Sequence, residues 1–192
     1  MTERVERPWE LTYDAAQFIS LPRTASPAAS ADWIEACLER FGVEKGVTSP
    51  EARRIEAIAQ MMLVNSRPGP AQFWFAPPGV HSDLLVNVAV ESSAQRPSTE
   101  ELFADAISST SIDVTPLRTA THGAGYLIRW GALIDPEDSG GTLVEQWSVV
   151  LNDGTWTVLV DVLGTSLPAF LLFEEQLPGL IVGVRVPGTL TA

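Results

Sequence analysis

The sequence predicts an α+β protein: an antiparallel β-sheet covered by helices, as an α-β-α sandwich, with an N-terminal helical pair. Two amphipathic helical patterns lie before residue 66, and most β-rich segments after it follow one another with few helices between them. Strands that follow one another closely favour antiparallel pairing, because parallel strands need long crossover connections. The length of 192 residues suits a single domain with a substantial core.

Changes in composition and periodicity divide the chain into four segments. We predict an extended arm over residues 1–30, a helical pair over 31–66, a sheet domain over 72–187 and a tail over 188–192. The arm is rich in Pro, Ala and Ser and shows no sustained period, so we expect its apolar side chains to anchor it to the body. These side chains are Trp9, Leu11, Tyr13, Phe18 and Ile19.

Two helices are predicted before the boundary at Arg67-Pro68-Gly69-Pro70. The first runs over about residues 31–41, with Ser30 as its N-cap and Gly42 as its stop. Its apolar positions follow the 3.6-residue period and are Trp33, Ile34, Cys37, Leu38 and Phe41. The second helix begins with Ser49 as N-cap and Pro50 at the first helical position. Its apolar stripe consists of Ile55, Ile58, Ala59 and Met62.

The next segment combines two strand signals and one helix signal. The aromatic run Phe73-Trp74-Phe75 ends at Pro77-Pro78-Gly79, and apolar residues then alternate over 84–90. Ser98 and Glu101 have the spacing of a capping box, which predicts a third helix with Leu102, Phe103, Ala106 and Ile107 on its inner face.

From residue 112 onward the signals are mainly those of β-strands. We predict strands over 112–118, 124–134, 142–151 and 155–163. Asp153-Gly154 between two β-rich runs is typical of a tight hairpin, whose turn needs positive φ angles. A short helix over 167–177 and a last strand over 180–186 complete the prediction.

Charge and apolar content indicate the kind of partner and the compartment. With 24 acidic and 12 basic residues the net charge is −12, which argues against binding to nucleic acid or anionic membranes. An acidic surface speeds encounter with a basic protein partner, although the same charge also serves solubility alone. The N-terminus lacks a signal-peptide pattern and no window is long and apolar enough to span a membrane. We therefore expect a soluble, cytoplasmic and, from the preference for Arg over Lys, bacterial protein.

No motif for a cofactor or a covalent mechanism is present. The chain lacks a phosphate-binding Gly-rich loop, a dinucleotide fingerprint and a Gly-x-Ser-x-Gly elbow. One cysteine excludes an internal disulfide and a cysteine-built zinc site, and Cys37 lies among apolar helix positions typical of core packing. The sequence thus predicts no cofactor, no metal and no catalytic residue.

Tryptophan and acidic residues supply the predicted partner-binding surface. Trp130, Trp147 and Trp156 fall in consecutive predicted strands, where core packing and cross-strand stacking are expected. Trp9 and Trp74 lie near loops and are expected to be more exposed. The acidic run at 135–138 is typical of a solvated hairpin loop, since it lacks the twelve-residue alternation of ligand residues found in an EF-hand calcium-binding loop. The predicted partner-binding residues are Trp9, Trp74, Asp135, Glu137 and Asp138.

The two histidines support an alternative, a small-ligand binder or enzyme with a pocket between sheet and helices. Histidine is the usual general base near neutral pH. In this alternative His81 or His122 converges with Asp83, Asp113 or Asp161 in a concave site. Two loop histidines without a function are the simpler interpretation, because neither lies in a catalytic or metal-binding motif.

From about 72 to 187 the order of elements resembles the PsbP-like superfamily, including its LpqN-type members. The resemblance rests on the strand Val86–Val90, the helix opening Ser98–Leu102 and the strand at Gly125-Tyr126-Leu127. It continues in the pair Gln146–Val149 and Trp156–Leu159, while the two helices before residue 66 are not part of the pattern. The resemblance implies an α-β-α sandwich with a non-enzymatic binding or assembly role, and it assigns no functional residue.

Together these observations predict a non-catalytic interaction domain that binds a basic protein partner. A secretion-accessory or an immunity-type role fits this description. Homo-oligomerisation through the aromatic N-terminal segment is a further alternative, and the sequence leaves the oligomeric state open.

Overall fold

In the part of the chain that the structure describes, seven antiparallel strands form the main sheet and two short strands form a second sheet. The structure is a computed structural model that describes residues 9–22, 26–44, 46, 48–93, 111–134 and 142–187. The strands are β1 Glu10–Leu11, β2 Phe18–Ser20, β3 Ala71–Phe75, β4 Leu84–Ser92, β5 Ser111–Thr119, β6 Gly123–Ile134, β7 Thr142–Asn152, β8 Trp156–Gly164 and β9 Val184–Arg185. Their order in the main sheet is β2-β3-β4-β8-β7-β6-β5, and β1 pairs with β9. Every pairing is antiparallel, which confirms the predicted α+β class with an antiparallel sheet.

Three helices lie in the described part of the chain: α1 Pro27–Arg40, α2 Pro50–Val64 and α3 Leu167–Gly183. The Ser49 hydroxyl accepts a hydrogen bond from the Ala52 N–H at 3.0 Å, so the predicted cap of α2 is confirmed. The predicted start of α1 at Ser30 is wrong. Ser26 is the cap and Pro27 opens the helix, because this Ser-Pro pair supplies the same start signal one turn earlier.

The prediction of a strand over 180–186 is also wrong for most of its length. Helix α3 continues through Pro178 to Gly183, and only Val184–Arg185 is extended. Burial explains the longer helix, because Leu177, Leu180 and Ile181 are all at most 6% exposed. Packing of this apolar face offsets the hydrogen bond that Pro178 cannot donate.

The sheet carries a separate apolar cluster on each face. Along β3, Phe73 and Phe75 belong to the cluster that includes the inner face of α3, whereas Trp74 belongs to the cluster of α1 and α2. This division follows from the alternation of side chains along a strand. Helices α1 and α2 contact each other, and Cys37, Ile55 and Met62 are their most buried large side chains.

The N-terminal segment contributes one strand to each of the two sheets. Strand β2 pairs with the edge of β3, and Phe18 is 3% exposed against Phe73 and Phe75. Strand β1 pairs with β9 after the end of α3. In the middle of the main sheet, the predicted hairpin at Asp153-Gly154 joins β7 to β8, and Gly154 has the positive φ of 95° that the turn requires.

The third predicted helix and membrane-spanning character are the remaining points of the fold. The predicted helix opening at Ser98 lies outside the described residues. Within the described ranges, none of the helices combines the length and the apolar character that crossing a membrane requires.

Candidate functional site

Both tryptophans that were expected to be exposed are buried, so that expectation is wrong. Trp74 is 1% exposed, and its indole N–H donates a hydrogen bond to the Ser82 carbonyl at 2.8 Å. Its ring also lies 5.2 Å from that of Phe41. Trp9 is 8% exposed. Trp74 is covered because β3 is an interior strand beneath α1 and α2, so neither residue offers a large contact surface. Asp135, Glu137 and Asp138 lie outside the described residues.

The three strand tryptophans do not stack on one another within the described part of the chain. Trp147 is 6% exposed and packs against Phe170, with ring centroids 5.0 Å apart. The guanidinium of Arg129 lies 4.7 Å above the Trp147 ring, and this arginine also pairs with Glu174 of α3. Trp130 is opposite Gln146 and therefore faces the other side of the sheet. Core packing is thus confirmed for Trp147, and stacking between tryptophans is not observed.

His81 and His122 lie at opposite ends of α3. The His81 carbonyl accepts a hydrogen bond from Ser166, the N-cap of α3, whereas His122 Nε2 lies 3.1 Å from the Ile181 carbonyl in its last turn. Fifteen helical residues separate these contacts by about 22 Å. His122 is 1% exposed, and its Nδ1 has no hydrogen-bond partner among the described residues. The two histidines therefore share no site.

Asp83 lines the same hollow as His81, but its carboxylate is committed to the fold. The hollow has a volume of about 470 Å³ and includes Met61 of α2. Both carboxylate oxygens of Asp83 accept hydrogen bonds from the backbone N–H groups of Thr165 and Ser166, which lead into α3. This arrangement holds the loop in place and leaves little capacity for chemistry.

The other two aspartates of the predicted convergence lie elsewhere. Asp113 pairs with Arg129, with a closest N–O distance of 3.6 Å, on the face of the sheet that packs against α3. Asp161 lies on the opposite face and accepts a hydrogen bond from Ser148 at 2.7 Å. Of the predicted convergences, the structure therefore forms that of His81 with Asp83 in one hollow, whereas His122, Asp113 and Asp161 lie elsewhere.

The loop after α1 forms an acidic groove that sequence reasoning missed. We define the acidic groove by Glu35, Leu38, Glu39, Gly42, Val43, Glu44 and Gly46, which enclose a volume of about 520 Å³. The Gly42 N–H donates to the Glu39 carbonyl at 2.9 Å, and the Val43 N–H donates to the Leu38 carbonyl at 3.0 Å. These two bonds, with Gly42 at φ +74°, form a Schellman motif. The motif brings Leu38 and Val43 together as the apolar floor.

Three carboxylates surround this floor at the negative end of the α1 dipole. Lys and Arg are the residues usually favoured at that end of a helix. The nearest arginine, Arg40, is directed elsewhere and donates to the carbonyls of Ala15 and Ala16 at 2.7 and 2.8 Å. The side chains of Glu39 and Glu44 form no ion pair with any described residue. Lys45 follows Glu44 in the sequence and lies outside the described residues. The groove thus combines negative charge with apolar surface.

A row of polar side chains crosses the sheet on the face opposite α3. Gln72, Asn87, Asp161 and Ser148 are neighbours on β3, β4, β8 and β7. Burial raises the pKa of the Asp161 carboxyl, and the Ser148 hydroxyl and the Arg67 guanidinium oppose that rise. Alternating polar and apolar residues in these strands were visible in the sequence, but only the register shows that the four polar residues are adjacent.

Comparison with known proteins and metal-binding geometry identify no function. No protein-family model, no curated protein and no solved structure matches the chain. In the ranges that the structure describes, no three His, Cys, Asp or Glu side chains are arranged to hold a metal ion.

Proposed function

We propose that the protein is a non-catalytic interaction domain whose acidic groove binds a basic and apolar segment of a protein partner. The observation that carries this proposal is the position of Glu39 and Glu44 beside Leu38 and Val43, at the negative end of α1. A cation in the groove would interact favourably with both the carboxylates and the helix dipole. The apolar floor would be covered by the aliphatic part of the same segment.

The occupant that best fits this geometry is an Arg- or Lys-containing segment with an adjacent large apolar side chain. The volume of about 520 Å³ suits a few side chains rather than a folded domain. The net charge of −12 extends the attraction beyond the groove and would increase the association rate. Hydrogen bonds within the fold occupy both carboxylate oxygens of Asp83, the aspartate beside His81, and this favours binding over catalysis.

The sequence resemblance agrees with this proposal. The resemblance to the PsbP-like superfamily implies an α-β-α sandwich with a binding role, and we propose that architecture, with α1 and α2 as the N-terminal pair. A secretion-accessory or immunity-type role would follow if the basic segment belongs to a secreted protein or a toxin.

The test is a binding titration with a fluorescent peptide of alternating Arg and Leu, monitored by anisotropy at increasing salt. We expect saturable binding that weakens with salt, and no binding of a matched peptide of alternating Glu and Leu. Glu39→Gln and Glu44→Gln should each weaken binding about threefold, the usual size of an exposed charge pair.

Glu175→Gln is the matched control, because it removes the same charge from an exposed position on α3. Its affinity should remain within experimental error of the wild type at moderate salt. Equal losses in all three variants would show that only net charge matters, and would refute the groove as the site. Affinity that does not change with salt would refute the electrostatic mechanism itself.

A further inference from the structure

A second pocket lies on the sheet, away from the acidic groove and without any shared residue. We define the sheet pocket by the loop Arg67–Pro70, by Asn87 and Ala89 of β4 and by Leu159 and Asp161 of β8, with Trp9, Val90 and Glu91 at its borders. Its volume is about 480 Å³, which is in the range of small-molecule sites. Asn87 and Asp161 are cross-strand neighbours, as are Ala89 and Leu159. The floor therefore has a polar half and an apolar half.

The hydrogen bonds of the polar row fix the orientation of Asn87. The Arg67 backbone N–H donates to Gln72 Oε1 at 2.9 Å, so the Gln72 amide nitrogen is the end that faces Asn87. That nitrogen donates to Asn87 Oδ1 at 2.7 Å. Because β4 lies between β3 and β8, the Asn87 amide nitrogen is directed towards β8. Asn87 is 8% exposed, and this nitrogen has no hydrogen-bond acceptor among the described residues.

Asp161 presents a complementary oxygen beside this unused donor. Ser148 binds Asp161 Oδ1, which leaves Oδ2 on the side of β4 and Arg67. The Arg67 guanidinium lies 3.9 Å from Oδ2, beyond hydrogen-bond distance, and its side chain is 62% exposed. The pocket thus holds one incompletely used acceptor and two incompletely used donors. Because Asn87, Asp161 and Arg67 all line the pocket, a ligand with matching polar groups can bond to them directly.

We infer that the sheet pocket binds a small zwitterion of the amino-acid type with an apolar side chain. The ammonium group of such a ligand would donate to Asp161 Oδ2. Its carboxylate would accept from the Asn87 amide and the Arg67 guanidinium, in charge-assisted bonds. Its apolar side chain would cover Ala89 and Leu159. Each polar group of the pocket then acquires a partner of matching charge and hydrogen-bonding type.

The experiment is calorimetric titration of the full chain with L-leucine, N-acetyl-L-leucine and L-leucinamide. The first compound carries both charges, the second lacks the ammonium group and the third lacks the carboxylate. We expect saturable binding of L-leucine with a Kd of about 0.1–1 mM and at least tenfold weaker binding of both derivatives. Absence of L-leucine binding, or equal affinity for all three compounds, would overturn the inference.

Variants locate the binding on this pocket. Asp161→Asn keeps an acceptor for Ser148, and Arg67→Gln changes an exposed side chain, so both proteins should fold. Each should bind L-leucine at least tenfold more weakly, whereas the charge-matched controls Glu175→Gln and Arg118→Gln should bind as the wild type does. Unchanged binding in Asp161→Asn and Arg67→Gln would place the ligand elsewhere and refute the site. Because no groove residue is changed, these outcomes are independent of the peptide titration.

Discussion

The carboxylate of Asp83 binds Thr165, which lies 82 residues further along the chain. Asp83 Oδ1 and Oδ2 lie 3.1 and 2.9 Å from the Thr165 backbone nitrogen, and the Thr165 hydroxyl donates to the same carboxylate. The neighbouring Ser166 N–H also donates to Asp83, at 2.9 Å. The Ser166 side chain makes no capping hydrogen bond of its own and donates instead to the His81 carbonyl. The β3–β4 loop therefore performs the role of a cap for the start of α3.

We predict that Asp83→Ala destabilises the protein by about 1–3 kcal/mol, because it leaves several backbone and hydroxyl donors without an acceptor. Urea denaturation gives the change in the free energy of unfolding. Glu91→Ala, which removes an exposed carboxylate from β4, should change stability by less than about 0.5 kcal/mol. Equal effects of the two substitutions would contradict the capping role of Asp83.

Whereas the Asp83 carboxylate stabilises the fold, the charge of Asp161 lowers its stability. Because its folded-state pKa is raised, the folded protein retains its proton over a pH range in which the unfolded chain has lost it. Stability therefore falls as the pH rises from the ordinary pKa of Asp, about 4, through the raised value. We predict that Asp161→Asn is more stable than the wild type at pH 7, and that the difference shrinks towards pH 4.

Urea midpoints measured between about pH 4 and pH 7 provide the test. Glu175→Gln corrects for the loss of one negative charge. A variant that is less stable than the wild type at pH 7 would show that Arg67 and Ser148 stabilise the carboxylate more than burial destabilises it. A residue whose charge lowers stability is a candidate for a functional role.

Cys37 should be inert in the folded protein. It is 1% exposed within the α1–α2 cluster, and burial raises its pKa to about 12, an effect that Arg40 partly opposes. Since the thiolate is the reactive form, we predict negligible alkylation by iodoacetamide at pH 8 in native buffer. Alkylation should become rapid in denaturing urea. Rapid reaction of the native protein would mean that α1 opens frequently from the sheet.

The sequence predicts local structure here better than it predicts long-range proximity. The Ser49-Pro50 start of α2 and the Asp153-Gly154 hairpin were predicted correctly because a few adjacent residues determine them. For the first strand of the main sheet, Phe18–Ser20, the sequence predicts only an extended arm. Its pairing with Phe73–Phe75 depends on residues more than 50 positions away, which no local pattern encodes.

Burial of the aromatic residues and the composition of the sites were harder to predict for the same reason. Trp74 was expected to be exposed because Pro and Gly follow it closely, but its strand is covered by two helices from earlier in the chain. The sequence indicates Asp161 as a candidate, but not Asn87 beside it or Gln72 beside Asn87, because strand register is set only when the sheet assembles. Leu38 and Val43 stand on either side of Gly42 in the sequence, which is a local signal for the acidic groove. From the sequence alone, Gly42 indicates only the end of the helix, so the groove is not predicted.

Two glycines of β6 provide a matched test of this register. A Cβ atom on Gly125 would overlap the Val150 backbone carbonyl of β7, which cannot move without breaking the pairing of the two strands. A Cβ on Gly131 would instead meet the Leu143 side chain at 3.3 Å, and that exposed side chain can shift. We therefore predict that Gly125→Ala destabilises the protein by about 3 kcal/mol, whereas Gly131→Ala changes stability by less than about 1 kcal/mol. Thermal and urea unfolding of the two variants would measure this contrast, and equal stabilities would contradict the pairing of Gly125 with Leu151.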